Sequence, residues 1–191
     1  MNLNPQEMKK ILHILVFIIP TVCFGQKSEF RPDVSVDGIR LRDSNSVGLK
    51  FPHYRKLLDF PLGAEIFLLN SDESETLTIS FYPGSDADSP MEFHVTSTDK
   101  KQLNKSKAIK LNVSRFKTEN NIKLNISKDD LFRIMGKDFK LENYGEIEIV
   151  KYRINNQASD FLKSYGLPEY FADFTFQKGK LIKFDLGFTN P

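Results

Sequence analysis

Tyr170-Phe-Ala-Asp-Phe-Thr-Phe-Gln-Lys-Gly-Lys-Leu-Ile-Lys-Phe-Asp-Leu-Gly-Phe188 decides the fold class of this chain. Ala172, Phe174 and Phe176 alternate with Asp173, Thr175 and Gln177. Beyond a tight turn at Lys178-Gly179, Ile182, Phe184, Leu186 and Phe188 alternate with Lys183, Asp185 and Gly187. A period of two, reversed across a two-residue turn, predicts an antiparallel hairpin with one buried and one wet face.

A second stretch upstream repeats the pattern. Leu77, Ile79 and Phe81 alternate with Thr78, Ser80 and Tyr82. After the turn-rich segment 83–90, Met91, Phe93 and Val95 alternate with Glu92, His94 and Thr96. Further strands are expected at 64–69, 109–113 and 145–152. Helices are fewer. Ser127 and Asp130 form a capping box ahead of an apolar stripe of Leu131, Ile134 and Met135, closed by Gly136. A short helix is expected over 157–165, capped by Asn155 or Asn156 and stopped by Gly166 and Pro168, with a third near 51–60. The class is α+β: antiparallel sheet with short helices packed on one face.

The two hairpins suggest two related tandem halves. Gly38-Ile-Arg-Leu-Arg-Asp-Ser44 matches Asn121-Ile-Lys-Leu-Asn-Ile-Ser127, and Leu77–Gly84 matches Ala172–Gly179. On this reading residues 26–97 form the first half, the lysine-rich stretch 98–107 a linker, and 108–191 the second half.

The N-terminus reads as an export signal. Lys9 and Lys10 precede an apolar run from Ile11 to Phe24, too short to span a bilayer of about 30 Å. Small residues end it at Cys23-Phe24-Gly25, as at a signal-peptidase site. Residues 1–25 are therefore expected to be removed and the mature chain to be periplasmic or secreted, with no transmembrane span. Acylation of Cys23, tethering the chain to an outer membrane, is the lesser alternative, because Pro20-Thr21-Val22 makes a poor lipobox. Removal takes Lys9, Lys10, Glu7 and the single cysteine, leaving 25 basic and 24 acidic side chains. So balanced a chain lacks the basic field a nucleic-acid binder needs. With no disulfide available, the core alone must hold the domain, and fifteen remaining phenylalanines suggest what builds it.

The stretch Ile122-Lys-Leu-Asn-Ile-Ser-Lys-Asp-Asp-Leu-Phe-Arg-Ile-Met-Gly136, with the closing hairpin Phe174–Phe184, resembles exported α+β domains. These are the SmpA/OmlA-type lipoproteins of outer-membrane assembly and the tandem halves of the β-lactamase inhibitor protein. The resemblance covers residues 118–136 and 172–188, with Asn125-Ile126 standing where those families carry Gly-Met. It implies a helix packed on a small antiparallel sheet, used to bind proteins and not for catalysis.

No residues are assigned as catalytic, cofactor-binding or metal-binding. Gly-x-Ser-x-Gly, His-Glu-x-x-His, phosphate-cradling glycine loops and zinc spacings do not occur. Glu92 and His94 share a strand face and form a possible metal or acid–base pair, but a site needs at least three converging ligands. The expected reading is a wet face carrying polar residues, and His53 beside Pro52 reads as a loop or helix-start residue. Asp86 and Asp88 lie in the first hairpin's loop without the further ligands of a calcium loop. They are candidates for protein contact, as are Tyr170 and Phe171, where an aromatic patch begins. The leading expectation is an exported, non-catalytic protein-binding or envelope-associated module. Its alternatives are an extracellular hydrolase acting on a polymer through a carboxylate pair, and a binder of a small apolar ligand.

Overall fold

The computed structural model describes residues 31–56, 64–82, 88–99 and 108–189. The leader at 1–25, most of the expected linker (100–107) and Asp86 lie outside the described residues. In chain order come β1 (Ser35–Val36), β2 (Ile39–Arg40), α1 (Ser44–Lys50), a 3₁₀ turn at Tyr54–Lys56, β3 (Ala64–Leu69), β4 (Glu75–Phe81), β5 (Pro90–Ser97) and β6 (Ala108–Lys110). Then follow α2 (Lys128–Met135), β7 (Lys140–Tyr144), β8 (Ile147–Ile154), α3 (Asp160–Tyr165), β9 (Tyr170–Gln177) and β10 (Lys180–Phe188). Apart from the small β1–β2 ladder, the strands form one eight-stranded sheet in the order β6-β3-β4-β5-β10-β9-β8-β7. Every pairing in it is antiparallel except β3 with β6.

Both expected hairpins form, and they meet. Phe184 pairs with Val95 and Asp185 with His94 along a seam between β10 and β5. The sheet is therefore continuous from the first half of the chain into the second. In the closing hairpin, Lys178 and Gly179 both take positive φ (50° and 74°), the backbone a type I′ turn demands. One detail of its expected alternation is corrected. A register shift between Leu181 and Lys183 makes Leu181, not Ile182, the fully buried residue, because a bulge inserts one residue and resets which side chain points inward.

Among the described residues, helices cover one face of the sheet only. On α2, Leu131 and Met135 are buried, and Phe132 stacks on Phe139 at 4.5 Å, which in turn meets Tyr152. Ile134, expected in that stripe, stays 37% exposed because Phe132 takes the inward position beside Leu131. The capping box holds: Ser127 Oγ accepts from the Asp130 N–H, and the Asp130 carboxylate accepts from the Ser127 N–H. From α3, Phe161 and Tyr165 pack on Phe188 at 5.9 and 4.7 Å. That helix starts at Asp160 and is capped by Ser159, while Asn156 closes the preceding turn on the Ala158 N–H. The core between the layers is phenylalanine-rich, with Phe81, Phe93, Phe174, Phe176 and Phe184 fully buried, each contributing about 2–3 kcal/mol.

Three further expectations are revised. The helix placed at 51–60 is a 3₁₀ turn within the described residues, preceded by α1, whose cap is Asp43. The strand placed at 145–152 forms as β8, shifted to Ile147–Ile154, and across a turn at Gly145-Glu146 it pairs with β7, which was not expected; β7 carries little apolar signal because it is an edge strand, exposed along most of its length. The stretch 26–35, polar with a single proline, reads in sequence as a loose leader, yet its described part is packed from Asp33 to Ser35. Asp33 and Val34 are buried, held to the 118–121 turn by the Glu119 carboxylate on the Val34 N–H and Asp33 on the Asn120 N–H.

Candidate functional site

With helices on one face, the opposite face carries the outward residues of every strand. Register places them in continuous rows. Thr78, His94, Asp185, Asp173, Lys151 and Lys140 lie side by side from β4 to β7. In the neighbouring row stand Ser80, Glu92, Gly187, Phe171 and Arg153. Lys183, at the centre of the sheet, remains 46% exposed in its side chain.

The centre of this face is a histidine held between two carboxylates at the β5–β10 seam. His94 Nδ1 lies 2.6 Å from Asp185 Oδ1, and Nε2 lies 3.3 Å from Glu92 Oε2. Glu92 also accepts from the Tyr82 hydroxyl at 2.5 Å, and Lys183 reaches Asp185 at 3.0 Å. The bond to Asp185, then that to Glu92, raises the His94 pKa to about 9 against the opposing effect of burial. Burial and then the Glu92 bond push the Tyr82 phenol up to about 12. Gly187 lets this cluster close. A Cβ there would stand 2.5 Å from the Met91 carbonyl oxygen and 2.7 Å from Glu92 Cγ, so only glycine lets Glu92 lie across the seam.

The same face continues outward in ion pairs. Arg153 holds Asp173 with Nη1 at 2.5 Å and Nη2 at 3.0 Å, and its guanidinium lies 5.6 Å from the Phe171 ring centroid. Lys151 reaches Glu142 at 2.6 Å and Lys140 reaches it at 2.9 Å, holding that carboxylate at a pKa of about 2.

The candidates from sequence fall in different places. Glu92 and His94 come together as a pair, and Asp185 completes a trio that sequence alone did not reveal. Asp185 alternates outward with Lys183 in the closing hairpin, but its neighbour on β5 lies 91 residues away in sequence. Phe171 is on the helix-free face. Tyr170 is a correction: it is fully buried, its hydroxyl donating to the Asp33 carbonyl at 2.6 Å, so the alternation that turns Phe171 outward turns Tyr170 into the core. Asp88 is tied to Arg55, and its carbonyl accepts from the Tyr54 hydroxyl at 2.9 Å.

Chemically, the trio is a set of satisfied charges. As an imidazolium, His94 donates from both nitrogens and offers no lone pair to a proton or a metal. Among the described residues no group of three His, Cys, Asp or Glu side chains could hold a metal ion. No helix among them is long and apolar enough to cross a membrane. No family model, curated protein or solved structure matches the chain.

Proposed function

We propose that this chain is an exported, non-catalytic protein-binding module of the cell envelope whose contact surface is the helix-free face of the sheet. One observation carries the reading: a sheet eight strands wide is covered by helices on one face and presents rows of preorganised charged and aromatic side chains on the other. Groups already held in ion pairs lose little side-chain entropy when a partner docks. Arg153 stacked on Phe171 is the kind of pair that anchors interfaces. Glu92 and Asp185, carboxylates from the two halves of the chain, are both engaged by His94, which favours recognition over hydrolysis.

The meanders β3-β4-β5 and β8-β9-β10 run outward in like order from the β5–β10 seam, which supports an origin by tandem duplication, although β6 breaks the mirror by pairing parallel with β3. Kinship with the assembly lipoproteins and inhibitor domains rests on the motif Ile122–Gly136 and the closing hairpin. A photo-crosslinker at Thr175 on the helix-free face, compared with one at Lys163 on α3, tests the proposal in an envelope fraction. A discrete adduct from position 175 alone is the expected result. Adducts only from position 163, or none from either position, overturn it.

A further inference from the structure

Among the described residues β7 is an edge strand of the sheet, and it is unusually sticky for one. Leu141 is 41% exposed and Tyr144 62% exposed, and β8 is its only strand neighbour among the described residues. The two-residue turn Gly145-Glu146, with Gly145 at φ 64°, makes Tyr144 and Ile147 a hydrogen-bonded pair. Counting back along an antiparallel ladder, Glu142 and Lys140 also bond to β8, whereas Leu141 and Asn143 turn their N–H and C=O groups to the open side. Such an edge invites another strand.

We propose that the strand it takes is β7 of a second copy of this chain, paired antiparallel about Leu141. In that register Leu141 exchanges both backbone hydrogen bonds with the partner's Leu141. Lys140 of each copy then stands directly opposite Glu142 of the other, on the helix-free face. A lysine on an edge strand normally discourages pairing, but here each lysine meets a carboxylate. Shifting the register by two residues in one direction sets Lys140 against Lys140, and in the other sets Glu142 against Glu142; like charges so placed are destabilising. Charge complementarity thus selects both the occupant and the register. Lys140 is 75% exposed in its side chain and free to swing from its own Glu142 to the partner's. The two-fold axis runs perpendicular to the sheet, so the helix-free faces of both copies join into one surface sixteen strands wide, twice the eight of one chain.

So short a contact falls at the small end of interfaces, so association is expected between about 10 μM and about 1 mM. The test is sedimentation equilibrium of the chain purified as expressed from residue 1, with three variants. Lys140→Glu alone and Glu142→Lys alone each set like charges opposite one another, and each is expected to weaken self-association at least ~10-fold, the effect of about 1.4 kcal/mol. Mixing the two restores opposite charges at both positions and is expected to recover dimers that neither forms alone. Leu141→Pro removes the outward N–H without touching the β7–β8 ladder, and is expected to give a folded monomer. A wild-type chain that stays monomeric to about 1 mM overturns the proposal, as does a dimer equally strong in both charge variants. If Leu141→Pro unfolds, the mixing experiment decides alone: no recovery on mixing refutes the register.

Discussion

The His94 trio makes a quantitative prediction about stability and pH. His94 has its pKa raised from an ordinary 6.5 to about 9 in the folded chain. A raised folded-state value means that the stabilisation is fully present below pH 6.5 and is lost as pH climbs through about 9. At about 1.4 kcal/mol per tenfold change in proton affinity, the full effect is roughly 3 kcal/mol. His94 keeps 30% of its side chain exposed, and screening reduces the expected loss to about 2 kcal/mol. The groups facing it are Glu92 and Thr78 from β5 and β4, Asp185 and Lys183 from β10, and Tyr82 through Glu92. With the imidazole neutral, Glu92 and Asp185 lose the cation between them, and Asp185 still has Asp173 as a cross-strand neighbour. The assay is urea denaturation of wild type and His94→Gln at steps from pH 6 to pH 10. Glutamine keeps a donor for one carboxylate but carries no charge, so the variant is expected to be about 2 kcal/mol less stable at pH 6 and nearly equal to wild type at pH 10. Taking the difference between the two proteins cancels the lysines and tyrosines that titrate in the same range. Parallel curves across that interval would refute the reasoning, as would an NMR titration placing the His94 imidazole near 6.5.

Two other perturbations separate remaining parts of the fold. Asp33, fully buried, has its pKa pushed up to about 6 chiefly by desolvation, with Thr118 and Asn120 opposing, and its Oδ2 has no hydrogen-bond partner. Its raised value means stability is lost between pH 3.8 and about 6 as the carboxyl ionises. Asp33→Asn should therefore be more stable than wild type by about 1–2 kcal/mol at pH 8, with the gain vanishing near pH 4; a less stable variant at pH 8 would show that the charge is welcome there. Gly187→Ala forces a Cβ into the β5–β10 seam and is expected to cost about 2–3 kcal/mol by denaturant titration. At Gly179, which has no atom within 4 Å of a Cβ but a positive φ, alanine should cost only about 1 kcal/mol; equal costs at the two sites would refute the crowding at the seam.

Which elements sequence alone determined follows from the range of the forces that specify them. The hairpins of Leu77–Val95 and Ala172–Phe188, the strand at 64–69 and the Ser127 capping box all rest on contacts between near neighbours, so alternation and capping chemistry revealed them. Strand β7 escaped because an exposed edge imposes no apolar period, and the inward turn of Leu181 escaped because a bulge is set by the partner strand. Glu92 and His94 could be read as a same-face pair from their spacing of two residues. Their meaning could not: Asp185 arrives from the far end of the chain only because β10 docks on β5, and a seam between strands 91 residues apart leaves no local trace. Sequence thus settled that this is a half-wet antiparallel sheet with helices on its dry side. Tertiary structure alone decided that its two hairpins fuse into one surface, with an imidazolium at the join, because strand order is chosen by long-range packing and not by any residue's own preference.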